Sequence, residues 1–224
     1  MIKIENTVSA SPDQWRMSIM GARNPMNSWD RSDSLFWPGH MQIGDKDLDL
    51  MKRLVKSGTD HSKFMRFLPV VVDITAPLYW WKEFDTYKVG TVSNSCSTMH
   101  KITEKKFTLD DFSHEHICIR QSADLLKETV DALNVFRDVY LNGGLLSRES
   151  GELRCYEKKD KEVWWQMIQL LPSSYNQKRT LMLNYAVLRS IYHARKNHKL
   201  DEWNDFCDWI ETLPYSELIT MEKE

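Results

Sequence analysis

The chain has 224 residues, 42% apolar and 28% charged, and its 30 Lys and Arg are offset by 32 Asp and Glu. That balance excludes the global basic field that duplex nucleic-acid binding needs, and no apolar run approaches the roughly 18 residues of a membrane span. The four cysteines, Cys96, Cys118, Cys155 and Cys207, are scattered with no CxxC pair, which points to reduced thiols in a cytoplasm and away from cysteine-ligated zinc.

The length suits one sizeable domain and no linker interrupts it, so a single domain over residues 1–224 is expected. The opening MIKIENTVSA has no basic stretch leading into an apolar one, so no signal peptide is expected, and IKIENTV reads as a short strand. SPDQWRMSIMGARN reads as a helix with Ser11 as N-cap and Pro12 in the first turn, where its missing N–H costs nothing. Residues 27–44 mix turn formers with Trp29 and Trp37 and read as a long loop. DKDLDLMKRLVKSG is amphipathic: Leu48, Met51, Leu54 and Val55 share a face, and Gly58 stops the helix.

RFLPVVVDIT follows as a β-branched strand, APLYWWKEFDTY as a helix opened by Pro77, and HEHICIR as another strand. SADLLKETVDALNVFRDVYLNGG is a helix with Leu126, Val130, Leu133, Phe136 and Tyr140 on one stripe, ended by a glycine pair. SRESGELRCYEKKD reads as a surface loop, and three helices close the chain: KEVWWQMIQLL, YNQKRTLMLNYAVLRSIYHARKN and DEWNDFCDWIETL. Dominant helices with a few irregularly spaced strands predict an α+β fold, a small mixed or antiparallel sheet packed with several long helices.

Two features invite chemistry. On a strand, His114 and His116 would share a face and could begin a metal site, but no third ligand stands at a recognisable spacing, so they read as structural. The pairs Trp80–Trp81 and Trp164–Trp165 lie in helical segments, where neighbours diverge by about 100°, so one of each pair is expected in the core and the other is left to stack on a ring. The segment TYKVGTVSNSCSTMH (86–100) is different: short hydroxyls, an amide and a thiol follow an aromatic run. It is either a polar cover whose hydroxyls bond local backbone or the wall of a nucleotide pocket.

Three segments resemble the flavin-dependent thymidylate synthase family (ThyX). In SGTDHSKFMRFLPVVVDIT (57–75), Gly58, Ser62, Phe64 and the strand match a motif of glycine, histidine, small hydroxyl and aromatic residues. Asp60 or His61 stands near the motif histidine, and Met65–Arg66 replace its Glu–His pair. In residues 86–100, Asn94 and Ser97 match, Tyr87, Lys88 and Val89 replace an Arg–His–Arg run, Ser95 replaces a Glu, and Met99–His100 replace an Arg–Tyr pair. In LPSSYNQKRTLMLNYAVLRSIYHARKNHKLDEW (171–203), the Leu–Pro pair and Asn184 match, Ala186 replaces an arginine, and Arg195 matches the arginine eleven positions after the Asn.

The resemblance implies a ThyX-like fold from about residue 45 onward and methylation of dUMP or a related pyrimidine nucleotide, with FAD as cofactor and folate and NADPH as co-substrates. It assigns Arg195 to the uracil ring, where a fixed cation would stabilise developing charge, with Ser97 beside it. Lys88, Asn94 and Ser95 fall on the nucleotide, and His61, Ser62 and Asn184 on the flavin. It also implies a homotetramer with shared sites, so that Arg23 or Arg179 could replace missing cations. The lost arginines remove bidentate contacts suited to phosphate, which leaves a second reading: a catalytically inactive scaffold that binds a nucleotide or a protein, with Trp29 to Trp37 as an exposed anchor.

Overall fold

Strand β4 (Pro69–Pro77) shows how the sequence builds the sheet: its residues alternate between buried and half-buried, with Val70, Val72, Ile74 and Ala76 fully enclosed. Period-two burial is what a strand with one core face produces. In the computed structural model, which describes residues 2–222, β4 belongs to a four-stranded sheet with β1 (Lys3–Ser9), β8 (Asn176–Asn184) and β5 (Val92–Ser95), in the order β1-β4-β8-β5. Asp73, on the opposite face of β4, accepts hydrogen bonds from Asn6 Nδ2 at 2.9 Å and Thr180 Oγ1 at 2.6 Å, so one carboxylate ties its strand to β1 and β8.

The remaining elements are α1 (Pro12–Arg23), a hairpin of β2 (Leu35–Trp37) and β3 (His40–Gln42), α2 (Asp45–Lys56), α3 (Leu78–Phe84), α4 (Thr98–Lys101) and α5 (Arg120–Asn142). Beyond them lie a second hairpin of β6 (Gly144–Ser147) and β7 (Leu153–Tyr156), then α6 (Lys161–Leu170), α7 (Tyr185–Arg195), α8 (Asp201–Glu211) and α9 (Glu217–Thr220). This is the α+β class expected. The chain divides into two compact units. One comprises Thr75–Glu83 and Ser95–Lys178; the other comprises Ile2–Ile74, Phe84–Asn94 and the chain from Arg179 onward.

Each unit has its own core. In the first, the α5 stripe of Leu126, Val130 and Leu133 packs with Ile102, Phe107, Phe112 and Met167, and Phe136 and Tyr140 extend it at the margin. Both Trp80 and Trp81 are buried there, edge to face at 4.8 Å, whereas one of them was expected outside. In the second unit Trp15 packs edge to face on Tyr185 at 5.5 Å. Ser11 caps α1 in a full capping box with Gln14, as the Ser–Pro start predicted.

Four elements differ from the sequence reading, each for a physical reason. The first part of the expected helix YNQKRTLMLNYAVLRSIYHARKN is β8: Leu181 and Leu183 are buried while Thr180 and Met182 are exposed, so the alternation outweighs good helix formers. HEHICIR is no strand; it turns at His114, whose carbonyl accepts from Ile117 N at 2.9 Å, and Ile117 and Ile119 stay exposed, so no core face holds it extended. The predicted loop SRESGELRCYEKKD contains most of the β6–β7 hairpin, and residues 27–44 contain the β2–β3 hairpin and a short 3-10 turn, Trp29–Arg31.

A buried charge cluster, unforeseen from sequence, organises that last segment. Asp47 on α2 pairs with Arg23 at 2.5 Å and accepts from the hydroxyls of Ser32 and Ser34 at 2.6 Å each. Burial alone would raise the Asp47 pKa; the two hydroxyls and Arg23 outweigh it and hold the carboxyl below its ordinary value.

Candidate functional sites

The resemblance residues fall into three settings. The first is a cavity of about 360 Å³ walled by the turn after α2, the 3-10 turn Lys63–Phe67 and one face of α7. Gly58, at φ +102°, reverses the chain there, and its carbonyl accepts from His61 N at 3.2 Å and Ser62 N at 3.1 Å. Tyr185 N donates to Leu68 O at 3.1 Å, which fixes the start of α7 against the same turn. Ser62, Thr59, Arg66, Ala186, Arg189 and Ser190 are among the lining residues, and no carboxylate is.

Arg189 is the unusual group in this wall. It is only 7% exposed, its Nη1 donates to the carbonyls of Ile219 at 2.8 Å and Met221 at 2.6 Å, and its buried Nη2 meets no acceptor among the described residues. Burial pulls its pKa below the ordinary guanidinium value, against the attraction of Glu222. An unsatisfied charged donor of this kind is costly.

Two other expected members of the site do not line the cavity. His61 is exposed on the turn. Asn184 is not on a helical face as predicted but is the N-cap of α7, accepting from Val187 N at 3.1 Å, while Arg195 is the last residue of the same helix. Gly90, at φ +78°, lies so close that a Cβ there would sit 2.9 Å from Asn184 Nδ2.

Arg195 and Lys88 form the second setting. Arg195 Nε donates to Tyr87 Oη at 2.9 Å, Nη1 lies 3.1 Å from His198 Nε2, and the guanidinium sits 4.6 Å from the Trp203 ring centre. The tyrosine that replaces the family arginine thus holds Arg195 by a hydrogen bond and a ring face. Tyr87 also lines a small cavity of about 160 Å³ with Lys88, Asp85, Thr91 and Ser93. Neither proposed replacement cation is idle: Arg179 donates to Asp85 at 2.7 Å, and Arg23 is buried against Asp47.

Ser97 lies in the other unit, in a polar cavity of about 290 Å³ that sequence reading did not anticipate. Its hydroxyl caps α4, accepting from His100 N at 3.4 Å. Thr98, Lys101, Lys105, Tyr175 and Lys178 share the lining. Lys101 pairs with Glu104 and Lys105 with Asp111, and each hydrogen bond raises its lysine's pKa. Asn94 and Ser95, exposed on β5, line none of the three cavities. The signal for these lysines was present in HKITEKK, but only the fold brings it beside Ser97.

No family model matches the sequence, and no curated protein does. Solved structures do. Thymidylate synthase X from Helicobacter pylori with FAD and dUMP superposes with a TM-score of 0.66 at 17% identity, over 99% of this chain and 98% of that one. The fold is that of the flavin-dependent thymidylate synthases. A second structure of the H. pylori enzyme with FAD and dUMP gives a TM-score of 0.65 at 16% identity, covering 99% and 97%. A UMP/dUMP methylase, PolB from Streptomyces cacaoi bound with 5-Br dUMP, gives 0.56 at 14% identity, covering 95% and 88%. No helix among the described residues is long and apolar enough to cross a membrane.

Proposed function

We propose that this chain is a divergent flavin-dependent enzyme that methylates dUMP or a related pyrimidine nucleotide. The observation that carries the reading is the cavity beside Ser62: the resemblance puts flavin at that serine, and the wall combines hydroxyls and two arginines with no carboxylate. The ThyX-like fold over nearly the whole chain supports it, as do the FAD, dUMP and UMP/dUMP named for its structural neighbours. When bound, FAD would supply the hydride that reduces a one-carbon unit drawn from folate, with NADPH as the reductant.

The chain's own groups then divide the work. Ser62, Ser190 and Arg66 hold the cofactor, with His61 at the rim and Asn184 keeping the start of α7 in place. Ser97 and Thr98 offer hydroxyls to the nucleotide, and Lys101 and Lys105 take over the phosphate charge lost with the family arginines. Lys88, Asn94 and Ser95 serve the nucleotide from β5 and the loop before it. Arg195 polarises the base. In a homotetramer of the kind the resemblance implies, working in the cytoplasm as a single ThyX-like domain per chain, one site would draw groups from more than one copy.

The second reading, an inactive scaffold that binds a nucleotide or a partner protein, is favoured by Ala186 and Met99 where the family has arginines, and by Trp29 and Trp37, each 47% exposed. Visible absorption separates the two. Purified protein is incubated with FAD and then with dUMP; bound flavin whose spectrum shifts on nucleotide addition supports the enzyme, and a protein that stays colourless ends that reading. Arg195→Ala is expected to abolish turnover while flavin content and fold persist. Full activity in that variant would remove Arg195 from the mechanism.

A further inference from the structure

Gln177 ties together two residues of the Ser97 cavity. Its Nε2 lies 3.0 Å from the carbonyl oxygen of Cys96 and 3.1 Å from Thr98 Oγ1, and Cys96, Thr98 and Gln177 all line the cavity. A main-chain carbonyl only accepts, so the contact to Cys96 settles which end of the amide points here, and the second amide proton goes to Thr98. Gln177 is itself pinned: its carbonyl accepts from Trp81 Nε1 at 2.9 Å, and the next carbonyl, of Lys178, accepts from Cys96 N at 2.9 Å. Thr98 therefore accepts from a fixed donor, and its own hydroxyl proton meets no acceptor among the described residues.

We infer that Thr98 is a specificity-determining residue for the base and that Gln177 sets its polarity. The Thr98 hydroxyl takes a ring carbonyl, so the cavity prefers an oxo pyrimidine such as uracil over an amino pyrimidine such as cytosine. A hydroxyl carries one proton and two lone pairs. Gln177 fills one lone pair, which leaves the proton as the group in need of a partner. A carbonyl oxygen supplies that partner. An exocyclic amino group is itself a donor and leaves the proton without an acceptor, which costs binding. The phosphate does not need Thr98, because Lys101, three residues on along the same side of α4, lines the cavity with a full charge to offer. Thr98 also follows Ser97, which the resemblance sets beside the uracil ring. The inference rests on the nucleotide reading of this cavity and deepens it from a pyrimidine to an oxo pyrimidine.

The experiment is calorimetric titration of the whole protein with dUMP and with dCMP, read as the ratio of the two affinities. Both ligands carry the same sugar and phosphate, so the ratio reports the base alone. Wild type is expected to bind dUMP about 3- to 10-fold more tightly than dCMP, the worth of one neutral hydrogen bond. Thr98→Val, which keeps the shape and loses the hydroxyl, should bring the ratio to within about twofold of one, and Thr98→Ser should keep it near the wild-type value. Gln177→Glu gives the sharper result. A carboxylate accepts where the amide donated, so it draws in the Thr98 proton and leaves only lone pairs for the ligand. Binding of dCMP should then match or exceed that of dUMP, even as the added charge weakens both. Thr98→Val, at a half-buried position, carries the test if Gln177→Glu does not fold. A wild-type ratio near one, or a ratio that survives these substitutions, would overturn the inference while the nucleotide reading stands. Equal weakening of dUMP and dCMP in Thr98→Val has the same meaning, because the hydroxyl then serves the sugar or phosphate. Wild type that binds neither nucleotide would end both.

Discussion

The cavities at Ser62 and Ser97 both contain hydroxyls and cations, yet they handle charge in opposite ways. At Ser97 the cations Lys101 and Lys105 are long, solvent-facing and already paired with Glu104 and Asp111. At Ser62 the cation Arg189 is buried, donates to two backbone carbonyls and is attracted by Glu222. The exposed Lys101–Glu104 pair adds little to stability and exchanges its partner readily, so Lys101 can trade a carboxylate for a phosphate, whereas Lys105 neutralises the buried carboxylate of Asp111. A buried guanidinium held by carbonyls has its desolvation cost offset inside the protein and does not exchange its partners with solvent. The difference teaches that composition alone does not rank two cationic cavities; the degree to which each charge is already compensated does.

Replacement of buried arginines gives the largest test of that contrast. Arg23→Met leaves Asp47 buried without its cation and is expected to cost about 3–5 kcal/mol, read by urea unfolding. Arg189→Met leaves only two carbonyls short of a donor and is expected to cost about 1–3 kcal/mol. Equal losses would mean that Glu222 compensates Arg189 as fully as Asp47 compensates Arg23, and the contrast would fail.

Acid titration follows in size. Because the folded Asp47 pKa is depressed, its contribution is present above the unfolded carboxylate value and is lost as pH falls through the folded one. Asp47→Asn should remove that part of the acid limb of a stability–pH profile; an unchanged limb would put the acid sensitivity elsewhere. For the Ser97 cavity, Lys101→Ala should leave the unfolding midpoint where it was, since its pair with Glu104 is exposed, while dUMP affinity falls and loses part of its salt dependence. A large shift in midpoint would show that Lys101 is structural.

The smallest effect concerns the thiols. Cys207 is buried on α8, and burial pushes its thiol up to about 11, whereas Cys96, Cys118 and Cys155 are exposed. Native protein at mild alkaline pH should therefore take up iodoacetamide at three positions quickly and at Cys207 only on unfolding. Mass spectrometry counts the labels.

Local pattern was enough for much of this molecule. The α5 stripe, the Ser11–Pro12 start of α1, the alternation in β4 and the α+β class could be read directly, because each rests on spacing within one element. The likeness to ThyX could be read from three degenerate motifs, since the order of elements survives where the charged residues do not. Those motifs singled out Ser62 and Ser97, but only the fold puts Ser62 in a cavity wall and Lys101 and Lys105 beside Ser97. Arg189 did not: at its place in NYAVLRSIYHAR it resembles any helix arginine, and nothing local says that it is buried.

What the sequence by itself determined, then, is where chain segments are helical or extended and which family of folds they assemble into, because hydrophobic period and turn chemistry act over a few residues. Tertiary structure decided the rest. It turned NQKRTLMLN into a strand by giving Leu181 and Leu183 a core to enter, and it left HEHICIR irregular by giving Ile117 and Ile119 none. It set Arg23 against Asp47, Arg195 against Tyr87 and Trp203, and Arg189 against two carbonyls. The worth of a charge depends on its burial and its partners, and both are set by residues far away in the chain.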